Sequence, residues 1–219
     1  MSKWKDEKDL VLVAVIISIF TLVVLEPIVG IILTMFGLAY LVMINAGDQY
    51  AYQFSSTWEE MGKTLLIIGI AFAVFLLFGG QLISWATGQP FHIFSSIQLM
   101  SDQVVIPLTI NMPEIQFLLW GIIIPFLETV FILGVVLKLL TRKFNIEGFD
   151  YGSSRHWFVV IFIGAVGSLF HLLSHQVQDP ALLIDWLFFS VSGIVVMYQN
   201  ELKGSGILHT IINMAQLLI

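Results

Sequence analysis

Apolar residues run along this chain in long unbroken blocks, not in the alternation of a half-buried strand or the one-sided stripe of a surface helix. The blocks fall at roughly 10–25, 28–44, 63–86, 115–140, 157–176, 181–200 and 205–219. A helix that is apolar all round is buried or faces lipid, and a bilayer crossing takes about 20 residues. The pattern therefore predicts an all-α, polytopic integral membrane bundle of about seven transmembrane helices. The first two blocks and the last are short for a span. Glu26-Pro27 separates the first two, a charge followed by a helix breaker. Residues 10–44 are alternatively one long kinked helix.

Charge placement chooses between the two. With seven spans and a cytoplasmic N-terminus, every Lys and Arg falls on the cytoplasmic side: Lys3, Lys5 and Lys8, then Lys63, then Lys138, Arg142, Lys143 and Arg155, then Lys203. The 87–114 segment on the opposite side has none. That is the positive-inside pattern. Joining the first two spans would move the N-terminal lysines outside, so seven spans are preferred, with the C-terminus outside. Segment 87–114 is too polar to cross, and Pro90, Pro107 and Pro113 break it into short pieces suited to the interface. Two regions follow: 1–114, with three spans and the outer interfacial segment, and 115–219, with four spans.

Composition supports lipid as the solvent. The 219 residues are 58% hydrophobic and 11% charged, against roughly 25% charged in soluble domains. The length suits one polytopic domain. The absence of cysteine excludes disulfides, thiolate metal sites and cysteine nucleophiles. The net charge of −6 comes without a basic patch, so nucleic acid is not an expected partner. The opening MSKWKDEKDL mixes acids with lysines, and the first apolar run ends at Glu26-Pro27 instead of a small-x-small site. It reads as a retained span, not a cleavable signal.

Against this background four polar residues stand out inside apolar spans: Glu128, His175, His209 and Asn213. An Asp at a helix centre costs ~2.5–3.5 kcal/mol on insertion scales, and such groups mark cavities, partners or reactions. Glu128 follows Pro125 by three residues, where a local bend suits a cavity wall. It is a candidate general base, or a protonated acid bonded to a neighbouring helix. His175 follows His171 by four residues, a spacing at which two imidazoles can share a zinc ion. A histidine near a membrane interface is also simply a snorkelling polar group. His209 and Asn213 repeat the i, i+4 spacing. They can ligate a metal, move a proton and steady an oxyanion, or only hydrogen-bond between helices. Glu59-Glu60 beside Lys63 reads as a solvated helix start. Asp185 and Glu26 lie near span ends, where they can snorkel or hydrate. His92 and His156 carry no assignment.

The order of these residues resembles the CAAX protease and bacteriocin-processing family of intramembrane metal-dependent endopeptidases, which includes the Ras-converting CAAX endopeptidase. The family's EExxxR motif, often followed by Gly, aligns with ETVFILG. Glu128 and Gly134 match, while Thr129 replaces the second Glu and Leu133 the Arg. Its FxxxH motif aligns with GSLFHLLSH, with His175 at the family histidine and His171 in place of Phe. Its HxxxN motif aligns with His209 and Asn213. The resemblance covers about residues 117–219.

The resemblance implies catalytic roles for Glu128, His175, His209 and Asn213. Glu128 would activate water, His175 and His209 would hold a divalent metal, zinc first, and Asn213 would help hold the oxyanion. It implies a small peptide precursor, or the tail of a membrane or lipidated protein, as substrate in a bacterial cell membrane. The replaced Glu and Arg keep open a non-proteolytic scaffold or bacteriocin-immunity protein on the same fold. A small transporter is a third class, without the paired broken helices that would point to it. His171 is expected to support the site instead of ligating. The four site residues are expected to converge within ~10 Å, a span one metal-bound water can bridge. One geometric obstacle stands against this. In straight spans, at 1.5 Å per residue, His175 and His209 differ in depth by on the order of 20 Å.

Overall fold

In a computed structural model the described residues are 37, 57–88, 117–175 and 181–218. Among them every regular element is helical. Helix α1 is Trp58–Thr87. Helix α2 runs continuously over Phe117–Lys143, α3 over Ser154–His175, α4 over Ala181–Gln199 and α5 over Lys203–Leu218. Five of the apolar blocks thus appear as helices. The expected spans at 10–25 and 28–44 and the interfacial segment lie outside the described residues, residue 37 and residues 87–88 apart. Three of the helices are long and apolar enough to cross a membrane: Phe117–Lys143, Ser154–Leu172 and Leu182–Gln199.

Local chemistry explains the ends. The Thr57 hydroxyl accepts from the Glu60 backbone N–H at 3.2 Å, and the Glu60 carboxylate accepts from the Thr57 N–H at 2.8 Å. This capping box starts α1. The Thr57 backbone N–H, and after it the Thr57 hydroxyl, holds the exposed Glu60 carboxyl below the usual carboxylate range. Glu59 pairs with Lys63 at 2.8 Å, so the Glu59-Glu60 pair is a solvated helix start, as expected. Gly88 ends α1 at φ +67°, a left-handed position that suits glycine.

The outer and inner faces are both apolar. Leu66, Ile70, Val74 and Phe78 form an exposed stripe on α1, and Phe158, Ile161, Phe162, Leu169 and Leu172 form another on α3. Apolar stripes of this extent suit a lipid surface. Inside, Ile68, Ile132, Leu133, Leu137, Ile163, Phe189, Val196 and Leu202 make one core drawn from α1 to α4 and the α4–α5 turn.

Small residues let the helices approach. A Cβ on Gly164 of α3 would come within 2.6 Å of the Trp186 carbonyl oxygen on α4, and one on Gly167 would overlap the Phe189 ring. Without a hydrophobic drive between helices in lipid, such close packing is what holds them together. Where α4 meets α5 the chain reverses through Asn200 at φ +53°. Glu201 and Leu202 are buried there, and the Glu201 carboxylate accepts the Gly204 N–H at 3.1 Å to each oxygen. The last helix therefore begins inside the bundle, against α1 and the first half of α2.

Gly164→Ala should destabilise the protein in detergent by about 1–3 kcal/mol, the usual cost of overpacking, read from thermal or denaturant unfolding. Gly62→Ala, where a Cβ meets nothing within 4 Å, should be neutral or stabilising by up to about 1 kcal/mol.

Candidate metal centre

Helix α2 carries the acid. Its course is irregular around Glu128. π-helical stretches Phe117–Ile123 and Val130–Val136 flank an α-helical turn, Ile124–Thr129, with Pro125 near its start. Proline supplies no backbone N–H, and wider π turns often accompany functional positions. Glu128 is 0% exposed, completely enclosed within the bundle.

Two imidazoles converge on it from other helices. His171 of α3 places Nε2 3.4 Å from Glu128 Oε2, and His209 of α5 places Nε2 3.8 Å from the same oxygen. Both histidines are buried, at 6% and 4% exposure. Their rings lie 5.8 Å apart. Phe188 and Phe189 of α4 wall them in, at 4.9 and 5.5 Å from the His209 ring. The far nitrogen of each ring is engaged. His171 Nδ1 is 3.0 Å from the Gly167 carbonyl oxygen, and His209 Nδ1 is 3.1 Å from the Thr129 hydroxyl. A carbonyl only accepts. His171 Nδ1 therefore holds a proton, and in the neutral ring Nε2 turns a lone pair toward Glu128.

The donor set fits a divalent metal. One ligand atom from each of Glu128, His171 and His209 lies within 4.8 Å of the other two. Separations of 3.4 and 3.8 Å exceed the roughly 2.7–3.2 Å of a hydrogen bond. They approach the about 3.3 Å edge of a tetrahedron with bonds near 2.0–2.1 Å. Two imidazoles and a carboxylate are also a familiar zinc set. Engagement of the far imidazole nitrogen is the usual support for metal-binding histidines.

The predicted residues fare differently. Glu128 and His209 come together as expected. His175 is the last residue of α3, and its side chain lies outside the described residues. Asn213 is half-buried, one turn beyond His209 on α5. His171, expected in a supporting role, stands beside Glu128 as a candidate ligand. Asp185, expected to snorkel or hydrate, is instead buried on α4.

The depth obstacle narrows for two reasons. A Cβ on Gly204 would meet Thr64 at 2.8 Å, so α5 starts level with a residue about 9 Å along α1 from Trp58. Using His171 instead of His175 recovers about 6 Å more. Sequence reasoning could not see the first, because a buried turn reads like any short polar loop, and it weighed His171 as a ligand but preferred the supporting role. It also missed Thr129 and Asp185. Asp185 stood out as an acid in an apolar run, but its position near a span end suggested solvent.

Comparison with protein-family models, curated proteins and solved structures returned no match for this chain.

Zinc retained by detergent-purified protein tests the centre. His171→Phe and His209→Ala should each weaken binding by more than the about 10–100-fold typical of outer-shell changes, measured by competition with a chelator. His156→Phe should bind as wild type, since His156 Nδ1 instead accepts the Asp150 N–H at 2.7 Å in the α2–α3 loop.

Proposed function

We propose that this chain is an intramembrane metal-dependent endopeptidase of the CAAX protease and bacteriocin-processing type. It is read as a multi-pass protein of a bacterial cell membrane, with seven spans and a cytoplasmic N-terminus. The observation that carries this reading is the meeting of one buried carboxylate and two buried imidazole nitrogens from three separate helices. Burying such groups together in an apolar bundle is costly unless they share a cation or a reaction.

In this reading His171 and His209 hold the metal through Nε2, with His175 added by the family resemblance. A divalent ion, zinc first, would supply Lewis acidity and a water acidic enough to ionise near neutral pH. Glu128, counted above among the three possible donors, is in this reading the base and not a ligand: it would take a proton from the attacking water and pass it to the leaving amine. The Phe188 and Phe189 rings keep bulk water from the imidazoles, which strengthens every charge interaction inside. Asn213, by resemblance, donates to the oxyanion. The substrate class is a small peptide precursor, or the tail of a membrane or lipidated protein.

A second reading has a specific observation in its favour. Leu133 stands where the similar family has Arg, and it is fully buried in the apolar core. Thr129 replaces the second Glu. A centre without those charges suits a scaffold or bacteriocin-immunity protein that binds and does not cleave.

Glu128→Gln separates the two. It keeps the shape and removes the base. Peptides released by cells carrying wild type or the variant should differ, with product loss of at least about 100-fold, the general-base range. Membrane insertion and protein level should be unchanged. Identical peptide profiles, read by mass spectrometry, would leave the scaffold reading standing.

A further inference from the structure

We infer that Thr129 is a positioning residue that sets the tautomer of His209. The inference rests on the proposed metal centre for its purpose, but its geometry stands apart from any metal. A threonine hydroxyl has one proton to give and lone pairs to receive with. Thr129 Oγ1 lies 3.1 Å from the Pro125 carbonyl oxygen, one turn back. That is the back-bond a helical threonine makes when no water competes, and Thr129 is 0% exposed. The carbonyl can only accept, so the hydroxyl proton points to it. The same oxygen lies 3.1 Å from His209 Nδ1, and it meets that nitrogen with a lone pair. Nδ1 must then be the N–H of the ring. A neutral imidazole has one N–H, so Nε2 keeps its lone pair, and Nε2 is the atom that faces Glu128.

The relay runs from imidazole to hydroxyl to backbone carbonyl, and packing holds its ends in place. A Cβ on Gly206 would lie 3.0 Å from the Phe126 ring and 3.8 Å from Thr129 Cγ2. The bare glycine lets α5 rest on this turn of α2. His209, three residues on, falls on the same face. His171 is held in the same way, with its Nδ1 at the Gly167 carbonyl and no hydroxyl between. Both candidate ligands are thus turned by a backbone carbonyl, one directly and one through Thr129. A hydroxyl does this without adding a second charge beside Glu128.

The test uses two variants and two readouts. Thr129→Val keeps the shape and removes the hydroxyl, while Thr129→Ser keeps the hydroxyl. With 15N-labelled histidine in the chelator-treated, detergent-solubilised full chain, nitrogen NMR reports the tautomer. His209→Gln identifies the signal. Wild type and Thr129→Ser should show His209 with its proton on Nδ1, and Thr129→Val should move it toward Nε2. Zinc affinity by chelator competition should fall about 10–100-fold in Thr129→Val and stay near wild type in Thr129→Ser. A proton on Nε2 in wild type, or an unchanged tautomer in Thr129→Val, overturns the inference while zinc binding by wild type still upholds the centre. The expected tautomer shift with no zinc bound by wild type upholds the inference and removes the metal centre.

Discussion

A carboxylate buried in an apolar bundle constrains everything around it. Glu128 has no exposed surface, and an isolated charge there would cost several kcal/mol after relaxation. The structure answers by bringing imidazole nitrogens to it from two other helices. Each imidazole is in turn a buried polar ring that needs a partner for its second nitrogen. Those partners lie on α3 itself and on the same turn of α2 as the acid. The positions of α2, α3 and α5 are thus coupled through one small polar group, because moving any helix would strand a nitrogen or an oxygen.

Such coupling requires short distances between helix axes, and the glycines provide them. Gly164 and Gly167 bring α4 against α3 and place the Phe189 ring beside both imidazoles. Gly204 and Gly206 do the same for α5 against Thr64 and Phe126. The glycines are costly for helix propensity, and here that cost is offset by contact between neighbouring helices. The π-helical stretches of α2 belong to the same compromise. They flank the turn that carries Glu128 and Thr129, adjacent residues of which one is the carboxylate and the other meets His209.

Much of this was legible beforehand because lipid leaves a strong trace in sequence. Long apolar blocks announced α1 to α5 to within a few residues, apart from the extra turn at the start of α1. Glu128 and His209 stood out because polar atoms are rare in such blocks. The i, i+4 pair His171 and His175 was visible as a pair, but periodicity alone does not say which member points inward. Residues four apart differ by only about 40° around the axis, so depth decides, and depth depends on how far neighbouring helices slide. Thr129 looked like a lost charge, because a hydroxyl's value lies in the two partners it joins and neither is adjacent in sequence.

The buried start of the last helix bears on biogenesis. Helix α5 is described over Lys203–Leu218, and its start is polar for a segment entering lipid. Glu201 in the turn before it, and Ser205 and His209 along its first turns, are buried. Such a segment partitions poorly into lipid on its own, whereas α2, α3 and α4 meet the requirements of length and apolarity. Its seat is built from α1 and the first half of α2, so those helices must be assembled before it can settle. On that order Glu128 and His171 are already in place when α5 brings His209 to them.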